Sequence, residues 1–163
     1  MIRHIAGFHL RNRTGMAVVL AMLASLAHAQ GAPRPEQLVK WRQAAFEVVA
    51  WNTQRIKAAL ANDDTNAREL QSAANALAAV AASGLADLFP RGTEHVKGWR
   101  DTSAAAAVFS DAAQFRARSD DFGHAAALLA QLAAGADRAA IKEQFAKVAN
   151  TCKGCHDKFR ETE

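Results

Sequence analysis

IKEQFAKVANTCKGCHDKF, residues 141–159, places Ile141, Phe145, Val148, Cys152, Cys155 and Phe159 at alternating steps of four and three. That spacing puts all six on one helical face, so both thiols belong to the face that a helix turns toward its neighbours. Within the stretch, Cys152-Lys153-Gly154-Cys155-His156 reads C-x-x-C-H, the attachment signature of a covalent c-type haem. Two thiols three positions apart can each add to one vinyl group of a porphyrin. The imidazole that follows is then placed to ligate the iron. A thioredoxin-type site would need a preceding strand and a βαβ setting. A zinc site would need more ligands, and Cys152 and Cys155 are the only cysteines. A disulfide across so short a loop would constrain almost nothing. The sequence therefore predicts one haem c, joined through Cys152 and Cys155 and ligated by His156.

Moving toward the N-terminus, further helical periods appear. Asp137 is placed to cap this last helix, after a turn at Ala134-Gly135-Ala136. A third helix is expected from a cap at Ser103 to about Ala134, with Val108, Ala112, Phe115, Phe122, Ala126, Leu129 and Ala133 on one face and Gly123 as a place to bend. Residues 84–103 lack a period and read as a crossover whose Leu85, Leu88, Phe89 and Trp99 must dock on the body. A second, Ala-rich helix is expected from about Thr65 to Ser83, stopped by Gly84, with Leu70, Ala74, Leu77 and Ala81 inward. The first runs from Pro35 to about Ala61, with Leu38, Ala45, Val49, Asn52, Ile56 and Ala59 inward. It breaks at Asn62, and Asp63 or Asp64 is placed to cap its successor. No strand-like alternation competes. The expected fold is all-α, an antiparallel up-down-up-down four-helix bundle.

The first 29 residues read differently. Arg3, Arg11 and Arg13 precede an apolar run from Met16 to Ala27, and Ala27-His28-Ala29 presents small residues at the positions a signal peptidase reads. The run is shorter than the roughly 20 residues a membrane span needs. The expected division is a signal peptide, 1–29, and one haem domain, 30–163, exported to the periplasm. The chain's net charge of +4 falls with the three leader arginines. The remainder is near neutral, which argues against nucleic acid or an anionic membrane surface as partner.

A C-terminal C-x-x-C-H on the last helix of an exported bundle resembles the cytochrome c′ family, the high-spin class II c-type cytochromes. The likeness is carried by CKGCHDKFR (Cys152–Arg160), KWRQAAF (Lys40–Phe46) and VFSDAAQF (Val108–Phe115), where the family often has Trp in place of Phe109. The resemblance implies that Arg160 is the basic residue near the proximal face. It implies that Arg42, and more weakly Gln43, meets a haem propionate, and that Phe46 lies over the open iron face with Val49 lining the same pocket. Leu or Met is more usual at the Phe46 position, so a stiffer ring would crowd the distal side. The family also implies a homodimer through the first two helices, to which Trp41, Trp51 and the small-residue faces of both helices would contribute; the alternative is that these tryptophans close the haem pocket or the core.

Low-spin class II relatives use a Met from the first helix as sixth ligand. After residue 29 this chain has no Met, and besides His156 only His95 and His124. His95 falls in the crossover, and His124 is two positions from the seam residue Phe122, pointing away. A five-coordinate iron facing hydrocarbon follows. Such a pocket has no donor for dioxygen and suits nitric oxide and carbon monoxide, which the family binds. The alternative is a dedicated one-electron carrier working with a redox partner protein. A peroxidase would want a distal acid–base pair, which Phe46 and Val49 do not supply, so no enzymatic activity is expected.

Overall fold

The computed structural model describes residues 32–62, 67–135 and 137–161. The expected leader, the Asp63 or Asp64 cap, the Thr65 start and Ala136 lie outside the described residues. Four long helices form the antiparallel up-down-up-down bundle: α1 (Pro35–Ala61), α2 (Ala67–Ala81), α4 (Ala112–Ala133) and α5 (Arg138–Phe159). A single-turn helix, α3 (Ala107–Ser110), precedes α4, and a 3-10 turn spans Leu85–Leu88. Among the described residues there is no strand, only an isolated antiparallel bridge between Ala104 and Arg160.

Local chemistry sets most boundaries. Pro35 opens α1, where its missing N–H is no loss. Gly84 takes a left-handed φ of 82° and ends the α2 segment. Asp137 caps α5 by accepting from the Ala140 N–H at 3.0 Å. The third helix departs from expectation. Ser103 does not cap it, because residues 103–105 run extended against the end of α5. There the Glu161 N–H donates to the Ser103 carbonyl at 2.9 Å and the Ala105 N–H to the Phe159 carbonyl at 3.1 Å. The true start is Asp111, which breaks from helical dihedrals (φ −124°, ψ 53°) and accepts from the Gln114 N–H. The Lys158 ammonium also donates to Asp111 at 2.6 Å, and this bond holds the carboxyl below its usual range.

The core follows the sequence seams closely in α2 and α5. Leu70, Ala74, Leu77 and Ala81 are buried, as are Ile141, Val148 and Phe159. In α1 the buried residue of the first turn is Val39, with Leu38 only half-buried, and in α4 Ala112 is exposed. Gly123 lies within an unbroken α4. α1 packs on α2, α2 on α4 and α4 on α5, whereas α1 and α5 meet along little of their length. At one end the gap is tied by Arg138, which donates to the Ala59 and Asn62 carbonyls at 3.1 and 3.0 Å. Toward the other end it opens.

Candidate haem site

The opening between α1 and α5 is a cleft of about 550 Å³, a size typical of pockets that enclose an organic cofactor. α1 lines it with Arg42, Phe46, Val49 and Thr53, a set that recurs at helical spacing. α5 lines it with Thr151, Cys152, Cys155, His156 and Phe159. Both thiols are free and half-buried. All eight residues that the sequence singled out, Arg42, Gln43, Phe46, Val49, Cys152, Cys155, His156 and Arg160, border this one cleft.

The donor set suits a covalently held macrocycle. Burial pushes the Cys152 thiol above its ordinary pKa. It does the same to Cys155, whose neighbour Cys152 adds to the effect while Arg118 opposes it. Both therefore stay S–H groups, and net addition of each S–H across one vinyl double bond would give a thioether with no leaving group. Burial also lowers the His156 pKa, with Arg160 adding and Asp157 opposing. A neutral imidazole with a free lone pair is what an iron ligand requires. Among the described residues no group of three or more His, Cys, Asp or Glu is placed to hold a bare metal ion, so the thiols lack the partners of a zinc site. Among the described residues, His156 is the only imidazole lining the cleft. His124 is exposed on α4, and His95 borders a separate hollow beside the crossover.

Arg42 and Gln43 are engaged by the protein itself. Arg42 is 3% exposed. Its Nη1 donates to the Thr93 hydroxyl at 3.0 Å and the Leu88 carbonyl at 3.4 Å. Its Nη2 donates to the Thr93 carbonyl at 3.1 Å and the Thr102 hydroxyl at 2.7 Å. Burial lowers its pKa from the usual arginine value, with Glu94 opposing. Gln43 donates to the Arg100 carbonyl at 2.8 Å and accepts from the Trp99 N–H at 3.0 Å. Both side chains thus fasten the crossover to α1. A side chain at Gly98 would run into Gln43 and approach Val39 to 2.9 Å, so the crossover lies directly on α1 there. Trp99, expected to dock, is 63% exposed; its backbone, not its indole, makes the attachment. Arg160 is exposed.

Four aromatic rings run along the cleft in edge contacts. Phe46 meets Phe89 at 6.4 Å between centroids, Phe89 meets Phe115 at 4.9 Å, and Phe115 meets Phe159 at 5.3 Å. Phe115 and Phe159 were legible on their seams. Phe89 was seen only as a docking residue, since the crossover has no period to reveal which side its residues face.

The comparisons agree with this geometry. The family model described as Cytochrome C' matches residues 37–160. The chain is 45% identical over 127 residues to a cytochrome c′ of Rhodocyclus tenuis, a match covering 78% of this chain and 96% of that relative. The crystal structure of cytochrome c′ from Thermochromatium tepidum superposes with a TM-score of 0.77 at 36% identity, covering 81% of this chain and all of that one. A nitric oxide complex of a mutant cytochrome c prime from Alcaligenes xylosoxidans superposes with a TM-score of 0.72 at 25% identity, covering 82% and 100%.

Proposed function

Since the chain belongs to the cytochrome c′ family, with haem c as its covalently attached cofactor, we propose that it is an exported gas-binding cytochrome. Cys152 and Cys155 supply the two thioethers and His156 the single protein ligand. When bound, the haem supplies an iron able to exchange one electron and to take a small diatomic molecule. The rest falls to the polypeptide. α5 tethers and orients the macrocycle, the ring of phenylalanines excludes water, and α1 presents Phe46 and Val49 to the side away from His156. The observation that carries the reading is the lining of the cleft, which includes one imidazole and, beyond residue 29, no thioether side chain at all. A haem held here would draw one ligand from the protein, His156, and leave its iron able to take nitric oxide or carbon monoxide. The optical spectrum of the reduced protein tests this. A high-spin spectrum that changes on adding carbon monoxide is expected, and a low-spin spectrum with no ligand added would overturn it.

The leader supports export. A basic start, an apolar run and a small-residue cut site would deliver the chain to the periplasm, outside the reducing cytoplasm. No helix among the described residues is long and apolar enough to cross a membrane.

Phe46 is 38% exposed on the cleft side of α1. Replacing it with Ala is expected to speed carbon monoxide association roughly tenfold, equivalent to about 1.4 kcal/mol off the barrier. Flash photolysis measures this, and an unchanged rate would remove Phe46 from the ligand's path.

Trp41, Val48 and Trp51 are 44%, 39% and 59% exposed. Their spacing places them on the outer face of α1, away from the cleft, where an apolar stripe needs cover. We assign this stripe to a homodimer contact. Trp51→Glu is expected to weaken dimerisation by roughly a hundredfold, as loss of a central aromatic anchor does. Light scattering across a dilution series checks it, and equal masses for both proteins at every concentration would refute it.

A further inference from the structure

The proposed gas-binding role leaves open what fixes Phe46, a ring on an open cleft wall with room to swing. Its aromatic neighbour is Phe89, which reaches the same cleft from the crossover. Phe89 is itself held on two sides. Phe115 meets it edge-on, and the Arg42 guanidinium lies 4.5 Å from its ring centroid. A guanidinium can hold a ring in place only if it is immobile, and this one is. Its two Nη atoms make four hydrogen bonds, two of them to the single residue Thr93.

Thr93 is unusual for a loop residue, being 1% exposed. Its hydroxyl is fully committed, donating to the Pro90 carbonyl at 2.8 Å while accepting from Arg42 at 3.0 Å. It does not line the cleft. Nothing in its sequence context marks it, and it touches neither thiol nor imidazole.

We infer that Thr93 is a positioning residue for ligand access, acting through Arg42 and Phe89 to hold Phe46 in place. Arg42, Phe89 and Phe46 line the cleft; Thr93 lies outside it and secures the guanidinium end of the series. The inference rests on Phe46 standing in the ligand's path. Thr93→Val keeps the shape but removes the hydroxyl. Arg42 Nη1 is then left with only its 3.4 Å bond to Leu88, and the Pro90 carbonyl loses this donor. Arg42 loosens, Phe89 gains freedom and Phe46 follows. Thr93→Ser keeps the hydroxyl.

The test is carbon monoxide association to the reduced haem protein by flash photolysis, in a cycle with Phe46→Ala. Thr93→Val should raise the rate about threefold, a little under half of the barrier change expected for Phe46→Ala. Thr93→Ser should match the unmodified protein. In the Phe46→Ala background, Thr93→Val should add nothing. A readout independent of binding accompanies it. In protein labelled with fluorophenylalanine, the 19F resonance that disappears in Phe46→Ala should shift or broaden in Thr93→Val and not in Thr93→Ser. If Thr93→Val fails to fold, Thr93→Ala, which also removes the hydroxyl, takes its place in the same cycle with the same expectations. Rates that multiply in the double variant, or an unmoved Phe46 resonance, overturn the inference and leave the gas-binding reading intact. An unchanged rate in Phe46→Ala alone overturns the premise, and the inference with it.

Discussion

Replacing Cys152 and Cys155 together by serine is expected to yield a chain that surrenders all of its haem to acidified organic solvent, whereas the unmodified protein retains its haem on a denaturing gel. Serine keeps the size of each side chain and the helical face of α5, so the bundle is left in place and only the covalent tether is removed. The two thiols are the chain's only cysteines, so no other residue can substitute. Without a tether, retention depends on His156 and the phenylalanine rings, at an affinity that dilution can beat. A covalent tether holds the cofactor at an effective concentration on the order of millimolar or higher. Single Ser variants should keep one thioether and remain coloured under denaturing conditions, at lower yield. The emptied cleft also costs stability, because Phe46, Phe89, Phe115 and Phe159 lose the surface they pack on. A fall in melting temperature of roughly 10 °C or more is expected. Covalent haem surviving in the double variant would remove C-x-x-C-H from the attachment chemistry.

The sequence was most legible where burial is apolar and periodic. α5 shows this, with Ile141, Val148 and Phe159 buried as its spacing requires. α2 does too, because alanine contributes helix propensity and close packing at once. Legibility failed where buried residues are polar and their partners lie far along the chain. Arg42 and Gln43 are buried by residues 46 to 60 positions away, in a crossover without a period. No local pattern separates such an arginine from a solvated one. Gln144 is a second case, 4% exposed because its amide donates to the Ala125 carbonyl at 2.9 Å across to α4. The misplaced start of the third helix has the same origin. Ser103 is a competent cap by type, but its carbonyl is drawn into pairing with the far end of the chain at Glu161. The eight residues singled out do border one cleft: Cys152, Cys155 and His156 came from the C-x-x-C-H spacing, and Arg42, Gln43, Phe46, Val49 and Arg160 from the resemblance. Phe89 was read only as a docking residue and Thr93 not at all, because both lie in the crossover, the one segment without a period to show which way its residues face.

Arg42 offers the sharpest separation between a role toward the haem and a role in the fold. Arg42→Leu is expected to destabilise the protein by about 2–4 kcal/mol, because it leaves the buried oxygens of Thr93 and the part-buried ones of Leu88 and Thr102 without this donor. The ring contact with Phe89 is lost as well. Leucine refills part of the volume but supplies no hydrogen bond. Lysine should recover only part of the loss, since one ammonium cannot reproduce a planar fork that reaches Leu88, Thr93 and Thr102 together. The discriminating measurement is the same substitution in the chain lacking Cys152 and Cys155, with the haem removed. If Arg42 acts chiefly as a structural clasp between α1 and the crossover, the denaturation midpoint falls there by a similar free energy. If it acts chiefly as counter-charge to a propionate, the loss appears in the haem-loaded protein and vanishes in the empty one. The four bonds at 2.7 to 3.4 Å already made within the polypeptide favour the first outcome. A propionate would then meet a guanidinium held in place before any cofactor arrives, a cation whose position costs nothing further to fix. Equal stability of the empty chain with and without Arg42 would show that the crossover is held by other means, and that the arginine is kept for the cofactor alone.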